Sequence, residues 1–255
     1  MISTFKLFKE SSENTKKEIL FLIGPPGSGK STHIKKLQKL KEFDIINRDD
    51  IAIEIAESNN LTYLDLFNRP NSINTSTKQI IPNESNFFIE NGKKYLKGFE
   101  KYGEVIPTPE SSFMSKFSSV VFKKIQELNQ EIEDTLKYKL DRAIKKNHNI
   151  IIDMVNNCKY NRVQIINKID KNNYKIIAII FNSGGKGMGD TLININKIRD
   201  IELAKLNRNK NIPEEIIINY INKYEPPTKS EGFDKIINVS TKENLEKLIK
   251  RNETY

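Results

Sequence analysis

Short apolar runs of strand length alternate along the chain with amphipathic stretches of helical spacing. Residues 18–23 and 174–181 are almost wholly apolar, which is typical of strands buried on both faces of a parallel sheet. Residues 43–46, 149–153 and 235–239 predict three further strands. The pattern therefore predicts a parallel sheet of five strands, with the 18–23 strand at its centre.

Helical periodicity fills most of the segments between these runs. Residues 112–146 predict the longest helix, because one stripe at three- and four-residue steps carries Val121, Ile125, Leu128, Ile132, Leu136 and Leu140. Other helices are predicted over 31–41, 51–56, 159–171 and 192–206, from Pro213, and after Ser240, which can form a capping box with Glu243. Strands that alternate with helices predict an α/β fold with helices on both faces of the sheet.

Residues 1–255 are expected to form a single domain with two additions. The segment 57–117 is rich in Asn, Ser and Pro and has no sustained period, so we expect an insertion with its own short helices or a mobile segment that faces an acceptor substrate. The segment 182–212 opens with several glycines and continues into a basic helix, which predicts a lid.

Composition adds constraints without fixing a function. The 255 residues carry a formal net charge of +9, which favours polyanionic partners, although Lys, Asn and Ile are abundant throughout and much of the Lys can be plain surface. Cys158 is the one cysteine, so no disulfide can form within the chain and a reducing, cytoplasmic compartment is expected. The N-terminus lacks a continuous apolar region and no apolar run is long enough to span a bilayer, so no membrane partner is expected.

A glycine-rich segment between the first strand and the first helix fits the phosphate-binding motif G-x-x-x-x-G-K-[ST]. Glycines let successive backbone N–H groups point at one anion, and the following helix adds its positive end. The motif predicts binding of ATP with Mg²⁺, with Lys30 on the β- and γ-phosphates and the Ser31 hydroxyl on the metal. The predicted nucleotide contacts are Gly24, Pro25, Pro26, Gly27, Ser28, Gly29, Lys30, Ser31 and Thr32. The motif does not by itself separate kinases from GTPases, ATPase motors or transporters.

Carboxylates follow the second and third predicted strands, at the edge of the sheet where ligands bind. Asp49 is the candidate base that accepts a proton from an acceptor hydroxyl, and the alternative is that Asp49 or Asp50 caps the next helix. Asp153 could bind the acceptor, hold a metal-bound water or simply shape its loop, and these readings stay open. Arg199, Lys205 and Arg208 are candidate cations for the transferring phosphoryl group, with a solvated helix surface as the alternative for the first two.

Several segments together resemble the kinase domain of polynucleotide 5′-kinases, found in phage end-healing enzymes and in eukaryotic polynucleotide kinase–phosphatases. The matching segments are Gly24 to Thr32, Ile45-Ile-Asn-Arg-Asp-Asp50, Ile151-Ile-Asp153 with Asn156 or Asn157 and then Arg162 after it, Asn207-Arg208 before Ile212-Pro213, and Tyr224-Glu-Pro-Pro-Thr-Lys-Ser-Glu-Gly-Phe233. The resemblance implies an adenylate-kinase-like P-loop kinase fold and transfer of the γ-phosphate of ATP to 5′-hydroxyl ends of DNA or RNA.

The resemblance also implies roles for individual residues. By it, Lys30, Asp49 and Arg208 would be catalytic, and Arg48, Asp153, Asn156 and Arg162 would bind substrate. Phage members carry an arginine shortly after the N-R-D segment where this chain has Ile51 and Ala52. The chain has no D-x-D-G-T phosphatase motif and no K-x-D-G ligase motif, so we expect a kinase alone.

Two alternatives remain. The first is a zeta-toxin-like or small-molecule P-loop kinase acting on a nucleotide sugar or a nucleoside. The second is a nucleotide-binding module without turnover, against which Lys30, Ser31, Asp49 and Arg208 together argue. Aromatic residues of the insertion could stack nucleic-acid bases or form its own small core; they are Phe87, Phe88, Tyr95, Phe99 and Tyr102.

Overall fold

The structure is a computed structural model that describes residues 16–63, 65–67, 71–73, 80–82, 87–104, 119–181, 189–204, 212 and 214–239. The chain forms two compact units, one of residues 1–47 with 138–255 and one of residues 48–137. The strands are β1 Lys17–Ile23, β2 Asp44–Asn47, β3 Asn71–Ile73, β4 Ile80–Pro82, β5 Phe87–Glu90, β6 Lys93–Leu96, β7 Ile150–Asp153, β8 Tyr174–Phe181 and β9 Lys235–Val239. The helices are α1 Lys30–Leu37, α2 Arg48–Ser58, α3 Ser119–Lys145, α4 Lys159–Ile166, α5 Gly189–Ala204 and α6 Glu214–Asn222.

The first unit contains a five-stranded parallel sheet in the order β2-β7-β1-β8-β9. β1 lies at the centre, as predicted, and residues Ile19 to Ile23 are 0% exposed because strands pair with β1 on both sides. Alternate side chains of β1 and β8 join a hydrophobic core with Ile34 and Leu37 of α1. The predicted α/β fold, with a five-stranded parallel sheet flanked by helices, is confirmed.

Helix α3 follows the predicted stripe. Val121, Ile125, Leu128, Ile132, Leu136 and Leu140 are all buried along it. One helix start was predicted wrongly: α2 begins at Arg48, directly after β2, so Asp49 and Asp50 lie inside its first turn instead of capping it. Carboxylates in a first turn still complement the positive end of the helix.

The second unit contains short antiparallel hairpins that the sequence analysis did not predict, formed by β3 with β4 and by β5 with β6. Asn91 and Gly92 close the β5–β6 hairpin with φ values of 50° and 75°, which suits an Asn-Gly turn. Phe87 and Phe99 are buried, whereas the rings of Phe88 and Tyr95 stack on one another across the strands with centroids 5.5 Å apart. The insertion aromatics are thus divided between a small core and a half-buried ring pair.

Several predicted features lie outside the described residues. They are the lid cations Lys205 and Arg208, the helix start at Pro213, the capping pair Ser240 and Glu243, and all of the 182–212 segment except α5 and Ile212. Among the helices that the structure describes, none has the length and apolar character needed to cross a bilayer.

Candidate active site

The predicted phosphate-binding loop connects the central strand to α1. Residues 24–29 form the loop, and α1 starts at Lys30. Gly27 and Gly29 have φ values of +82° and +91°, in the left-handed region that glycine adopts without a steric penalty. Left-handed residues within such a turn direct backbone N–H groups into a common concavity, which is the geometry that holds phosphate oxygens.

Close packing at the start of the loop requires glycine. A Cβ atom on Gly24 would lie 2.7 Å from Ser28 Oγ and 2.8 Å from the Cβ of Phe181. Ser28 is 2% exposed, and its hydroxyl oxygen has no hydrogen-bond partner. The base of the loop therefore holds a buried polar group whose hydrogen-bonding capacity is unused.

The Lys30 side chain folds back over its own loop. Its ammonium donates to the carbonyl oxygens of Gly24 at 2.6 Å and Pro25 at 3.0 Å. The Lys30 ammonium is thus held against the backbone at the start of the phosphate-binding loop. Ser31 and Thr32 follow in the first turn of α1, where both are exposed to solvent.

Two residues from the later helices hold the loop, and the sequence analysis missed both. Asn196 of α5 donates from Nδ2 to the carbonyl of Pro26 at 3.1 Å and to that of Leu192 at 2.8 Å. Tyr220 of α6 accepts a hydrogen bond from the Gly24 N–H at 2.9 Å. The role of Asn196 had one indication in the sequence, which is that a polar Asn follows the apolar residues Leu192, Ile193 and Ile195, all of them buried.

The Tyr220 hydroxyl stays protonated throughout the ordinary pH range. Burial raises its pKa well above the usual value; the Gly24 N–H and the Arg162 charge oppose that rise, and Tyr224 and Asp153 add to it. A neutral phenol can accept the Gly24 N–H and still has its own proton to donate. Tyr220 therefore belongs to the same polar cluster as Gly24 and Asp153.

Asp153 is the last residue of β7 and lies in register with Asn47 at the end of β2. Asn47 Nδ2 donates to Asp153 Oδ2 at 3.2 Å, and Asp153 is 8% exposed. Because β7 is paired with β1 in parallel, the carboxylate lies at the same edge of the sheet as the phosphate-binding loop. The structure thus brings Asp153 and the loop together, as the sequence analysis expected.

Asn156 and Arg162 are both 0% exposed, and their side-chain donors are used within the protein. Asn156 Nδ2 donates to the carbonyls of Leu22 and Ile152 at 3.1 and 3.2 Å, which joins β1 to β7 beyond their ladder. Arg162 Nε and Nη2 donate to the two carboxylate oxygens of Glu231 at 2.7 and 2.9 Å. These two residues therefore support the frame of the site, and the substrate-binding roles given to them stay predictions.

The same arginine holds the segment that carries the last motif of the resemblance. Arg162 Nη1 donates to the carbonyls of Asn156 and Glu225, both at 3.0 Å. Glu231 also forms a capping box with Thr228. Burial raises the pKa of Glu231, but the hydrogen bonds from Arg162 and Thr228 outweigh it, so the pKa lies below its ordinary value. The residues of the E-P-P-T-x-x-E-G-F motif therefore form a buried ion pair and a capped turn.

Asp49 and Arg48 belong to the second unit. Asp49 Oδ1 accepts a hydrogen bond from the Tyr63 hydroxyl at 3.0 Å. Arg48 Nε lies 2.9 Å from Glu133 Oε1, so an acceptor phosphate would have to compete with that carboxylate for the guanidinium. The neighbouring Asp50 is exposed. The roles given to Asp49 and Arg48 stay predictions.

The side chain of Arg199, on α5, has donors that no hydrogen bond satisfies. Its Nε and Nη2 atoms are buried and have no hydrogen-bond partner. Arg199 lies one turn after Asn196, which contacts the phosphate-binding loop. The role of Arg199 as a cation for the transferring phosphoryl group stays a prediction.

Comparison with known proteins yields structural similarities only. No family model and no curated protein matches the sequence. The chain is similar to one chain of the Pnkp1/Rnl/Hen1 RNA repair complex, with 15% identity and a TM-score of 0.43, over 84% of this chain and 46% of that one. It is also similar to a fungal RNA kinase, with 16% identity and a TM-score of 0.43, over 93% of this chain and 85% of that one. The chain spans less than half of the repair-complex chain, and at these identities neither similarity identifies a substrate.

Proposed function

We propose that the protein is an ATP-dependent kinase that transfers the γ-phosphate to a 5′-hydroxyl end of DNA or RNA. The observation that carries the kinase proposal is the phosphate-binding loop with Lys30 folded over it, at the same sheet edge as the buried carboxylate of Asp153. A site for phosphoryl transfer needs an anion cradle, a cation and a carboxylate near one another.

The residues of the loop fit ATP and Mg²⁺. The backbone of Gly27 and Gly29 would hold phosphate oxygens, and Ser28 adds a buried hydroxyl that has no partner. Lys30 would exchange the carbonyls of Gly24 and Pro25 for the β- and γ-phosphates, while the exposed Ser31 hydroxyl would contact Mg²⁺. Bound ATP would supply the phosphoryl group, and Mg²⁺ would neutralise the charge that develops during its transfer.

Transfer requires an acceptor oxygen that loses its proton as it attacks. In the proposed mechanism Asp49 takes that proton, a bond forms between the acceptor oxygen and the γ-phosphorus, and the bond to the oxygen bridging the β- and γ-phosphorus breaks. Asp153 would position the acceptor or a metal-bound water. Arg208, together with Arg199, would stabilise the negative charge on the transferring group.

The nucleic-acid acceptor is supported by the residues that resemble polynucleotide 5′-kinases and by the charge of the chain. The N-R-D segment at Asn47 to Asp49 supplies the proposed base, and the net charge of +9 favours a polyanionic acceptor over a neutral one. A nucleotide sugar is the competing acceptor, and it requires no such surplus of positive charge.

The test is to incubate the protein with Mg²⁺ and γ-labelled ATP, with either 5′-hydroxyl oligonucleotides or nucleotide sugars as acceptors. We expect label on the oligonucleotides, no transfer by Lys30→Ala, and a loss of at least about a hundredfold in turnover by Asp49→Asn. ATP binding should persist in Asp49→Asn. Asp50→Asn is the matched control, because the exposed Asp50 shares the first turn of α2 with Asp49.

The outcomes separate the parts of the proposal. Label on nucleotide sugars alone would exclude the nucleic-acid acceptor and keep the kinase. Equal losses in Asp49→Asn and Asp50→Asn would remove Asp49 as the base. Unchanged transfer by Lys30→Ala would reject the proposed phosphate site itself.

A further inference from the structure

The segment that follows Asp153 presents apolar side chains to solvent. Val155, in the connection between β7 and α4, is 56% exposed, and Tyr160, the second residue of α4, is 71% exposed. Single exposed apolar residues are common on protein surfaces, but these two follow a candidate active-site carboxylate within seven residues of the chain. We call Val155 and Tyr160, with the backbone between them, the 155–160 ledge.

The backbone of the ledge is held at several points. Asn161 Nδ2 donates to the Val155 carbonyl at 3.2 Å, which closes the turn. The Asn157 carbonyl accepts the Glu225 N–H at 2.8 Å, and the Asn156 carbonyl accepts from Arg162 at 3.0 Å. The two exposed side chains therefore project from a fixed turn, so a ligand that binds them would not have to order the backbone first.

The ledge is suited to bases more than to phosphates. The N-terminus of α4 would attract an anion, but its Lys159 N–H already donates to the Glu225 carboxylate. What remains exposed is the Tyr160 ring and the Val155 isopropyl group, together with the Lys159 side chain. Every nucleic-acid base has a π-face that can stack on an aromatic ring, whereas the Glu225 carboxylate beside Lys159 would repel a phosphate.

We propose that the 155–160 ledge binds the bases nearest the 5′ end of a single-stranded acceptor, with Tyr160 as the stacking residue. The proposal rests on the proposed kinase function, because it assumes that Asp153 and the ledge contact neighbouring parts of the same acceptor strand. Stacking is tolerant of sequence, so the ledge sets a preference for unpaired 5′ ends without a preference for a particular base.

The test measures the affinity of the protein, without ATP, for a 3′-labelled single-stranded 5′-hydroxyl oligonucleotide by fluorescence anisotropy. We expect Tyr160→Ala to raise the Kd about tenfold and Tyr160→Phe to leave it nearly unchanged, because the ring supplies the contact. Tyr138→Ala is the matched control, because Tyr138 is also an exposed tyrosine, at 64% of its side chain. We expect its Kd to equal that of the wild type.

A change in the oligonucleotide shows whether bases are what Tyr160 contacts. With an oligonucleotide that is abasic at its 5′-terminal positions, we expect wild type and Tyr160→Ala to bind equally, since the two changes remove the same contact. A Kd for the intact oligonucleotide that is unchanged in Tyr160→Ala would overturn the proposal. So would a loss in Tyr160→Ala that persists in full on the abasic oligonucleotide.

The kinase assay separates this inference from the proposed function. If wild type phosphorylates the oligonucleotide and Tyr160→Ala has the same KM for it, the kinase stands and the ledge does not. If wild type transfers no phosphate but Tyr160→Ala weakens oligonucleotide binding and Tyr138→Ala does not, the ledge stands and the proposed function fails. The KM for ATP should be the same in all of these variants.

Discussion

Gly27 lies where a side chain is excluded for two independent reasons. Its φ is +82°, and a Cβ atom there would lie 2.8 Å from Nδ2 of Asn196. Gly29 has a similar φ of +91° but nothing within 4 Å of its Cβ position. The two glycines therefore separate the cost of backbone conformation from the cost of a steric clash.

We predict that Gly27→Ala weakens ATP binding much more than Gly29→Ala does. Both variants carry the penalty of about 1 kcal/mol for a left-handed alanine, and only Gly27→Ala also displaces Asn196 from the loop. Isothermal titration with a non-hydrolysable ATP analogue measures the difference. Adding Asn196→Ala to Gly27→Ala should recover part of the loss; no recovery would mean that the clash with Asn196 is unimportant.

His33 is a second residue whose surroundings fix its chemistry. It is 7% exposed, and its ring meets the Phe181 ring edge to face with centroids 5.3 Å apart. Burial and the nearby charge of Lys36 lower its pKa from 6.5 to about 4. His33 is therefore neutral in the folded protein at neutral pH, which favours packing over proton transfer.

We predict that this histidine makes stability fall with acidity. Between about pH 6.5 and about pH 4 the unfolded chain binds a proton at His33 that the folded chain does not, so the free energy of unfolding decreases by roughly 1.4 kcal/mol per pH unit. Urea denaturation of the wild type and of His33→Phe across this window measures the difference in slope. Parallel curves for the two proteins would contradict the prediction.

At the scale of elements, the buried pair of Arg162 and Glu231 ties α4 to the turn before β9. Both side chains are almost fully buried, at 0% and 1% exposure. Their hydrogen bonds are bidentate, the geometry in which a guanidinium and a carboxylate interact most strongly. Losing one partner would leave the other charge inside the protein.

We predict that Glu231→Gln destabilises the protein by about 3–5 kcal/mol, because it leaves the Arg162 charge uncompensated. Lys197 and Glu214 provide a matched surface pair, with Nζ and Oε1 2.6 Å apart but side chains 62% and 54% exposed. Glu214→Gln should cost at most about 1 kcal/mol. Thermal and chemical denaturation of both variants provide the comparison, and equal losses would show that burial does not decide the cost.

The elements and the candidate site were predictable from sequence to different degrees. The predicted bounds of β8 and β9 agree with the structure because each is a compact apolar run between polar breaks. The β5–β6 hairpin was missed, although Asn91-Gly92 is a hairpin signal, because short strands with lysines show no clear alternation.

The contacts of the site depend on residues that are distant in sequence. Tyr220 meets Gly24 across 196 positions, and Asn196 meets Pro26 across 170. No local pattern encodes such a pairing, since it follows from the order of strands in the sheet. The same limit explains why the partner of Arg162 was not predicted. The motif of the resemblance includes Arg162, but Glu231 lies 69 positions away.

At the scale of the whole molecule, the net charge of the chain favours a nucleic-acid acceptor over a small-molecule acceptor. The chain carries 42 Lys and Arg against 33 Asp and Glu. A strand of nucleic acid releases counterions when it binds such a surface, so its affinity falls as salt increases. A nucleotide sugar carries few charges and releases few ions.

We predict that the KM for a single-stranded oligonucleotide rises steeply with salt, with a log–log slope of about 0.7 for each phosphate contacted. The KM for a nucleoside 3′-monophosphate acceptor should change much less under the same conditions. Steady-state kinetics over a series of KCl concentrations gives both slopes. Equal slopes for the two acceptors would show that no phosphate beyond the terminal nucleotide is bound.

The separation of Arg162 from Glu231 along the chain also has a consequence for biosynthesis. A ribosome that has added Arg162 must add 69 more residues to reach Glu231, which takes on the order of ten seconds. Throughout that interval the bidentate ion pair between Arg162 and Glu231 cannot form. A nascent chain that stops short of Glu231 would lack this buried ion pair, so the packing of α4 against the turn before β9 is completed only after Glu231 has been added.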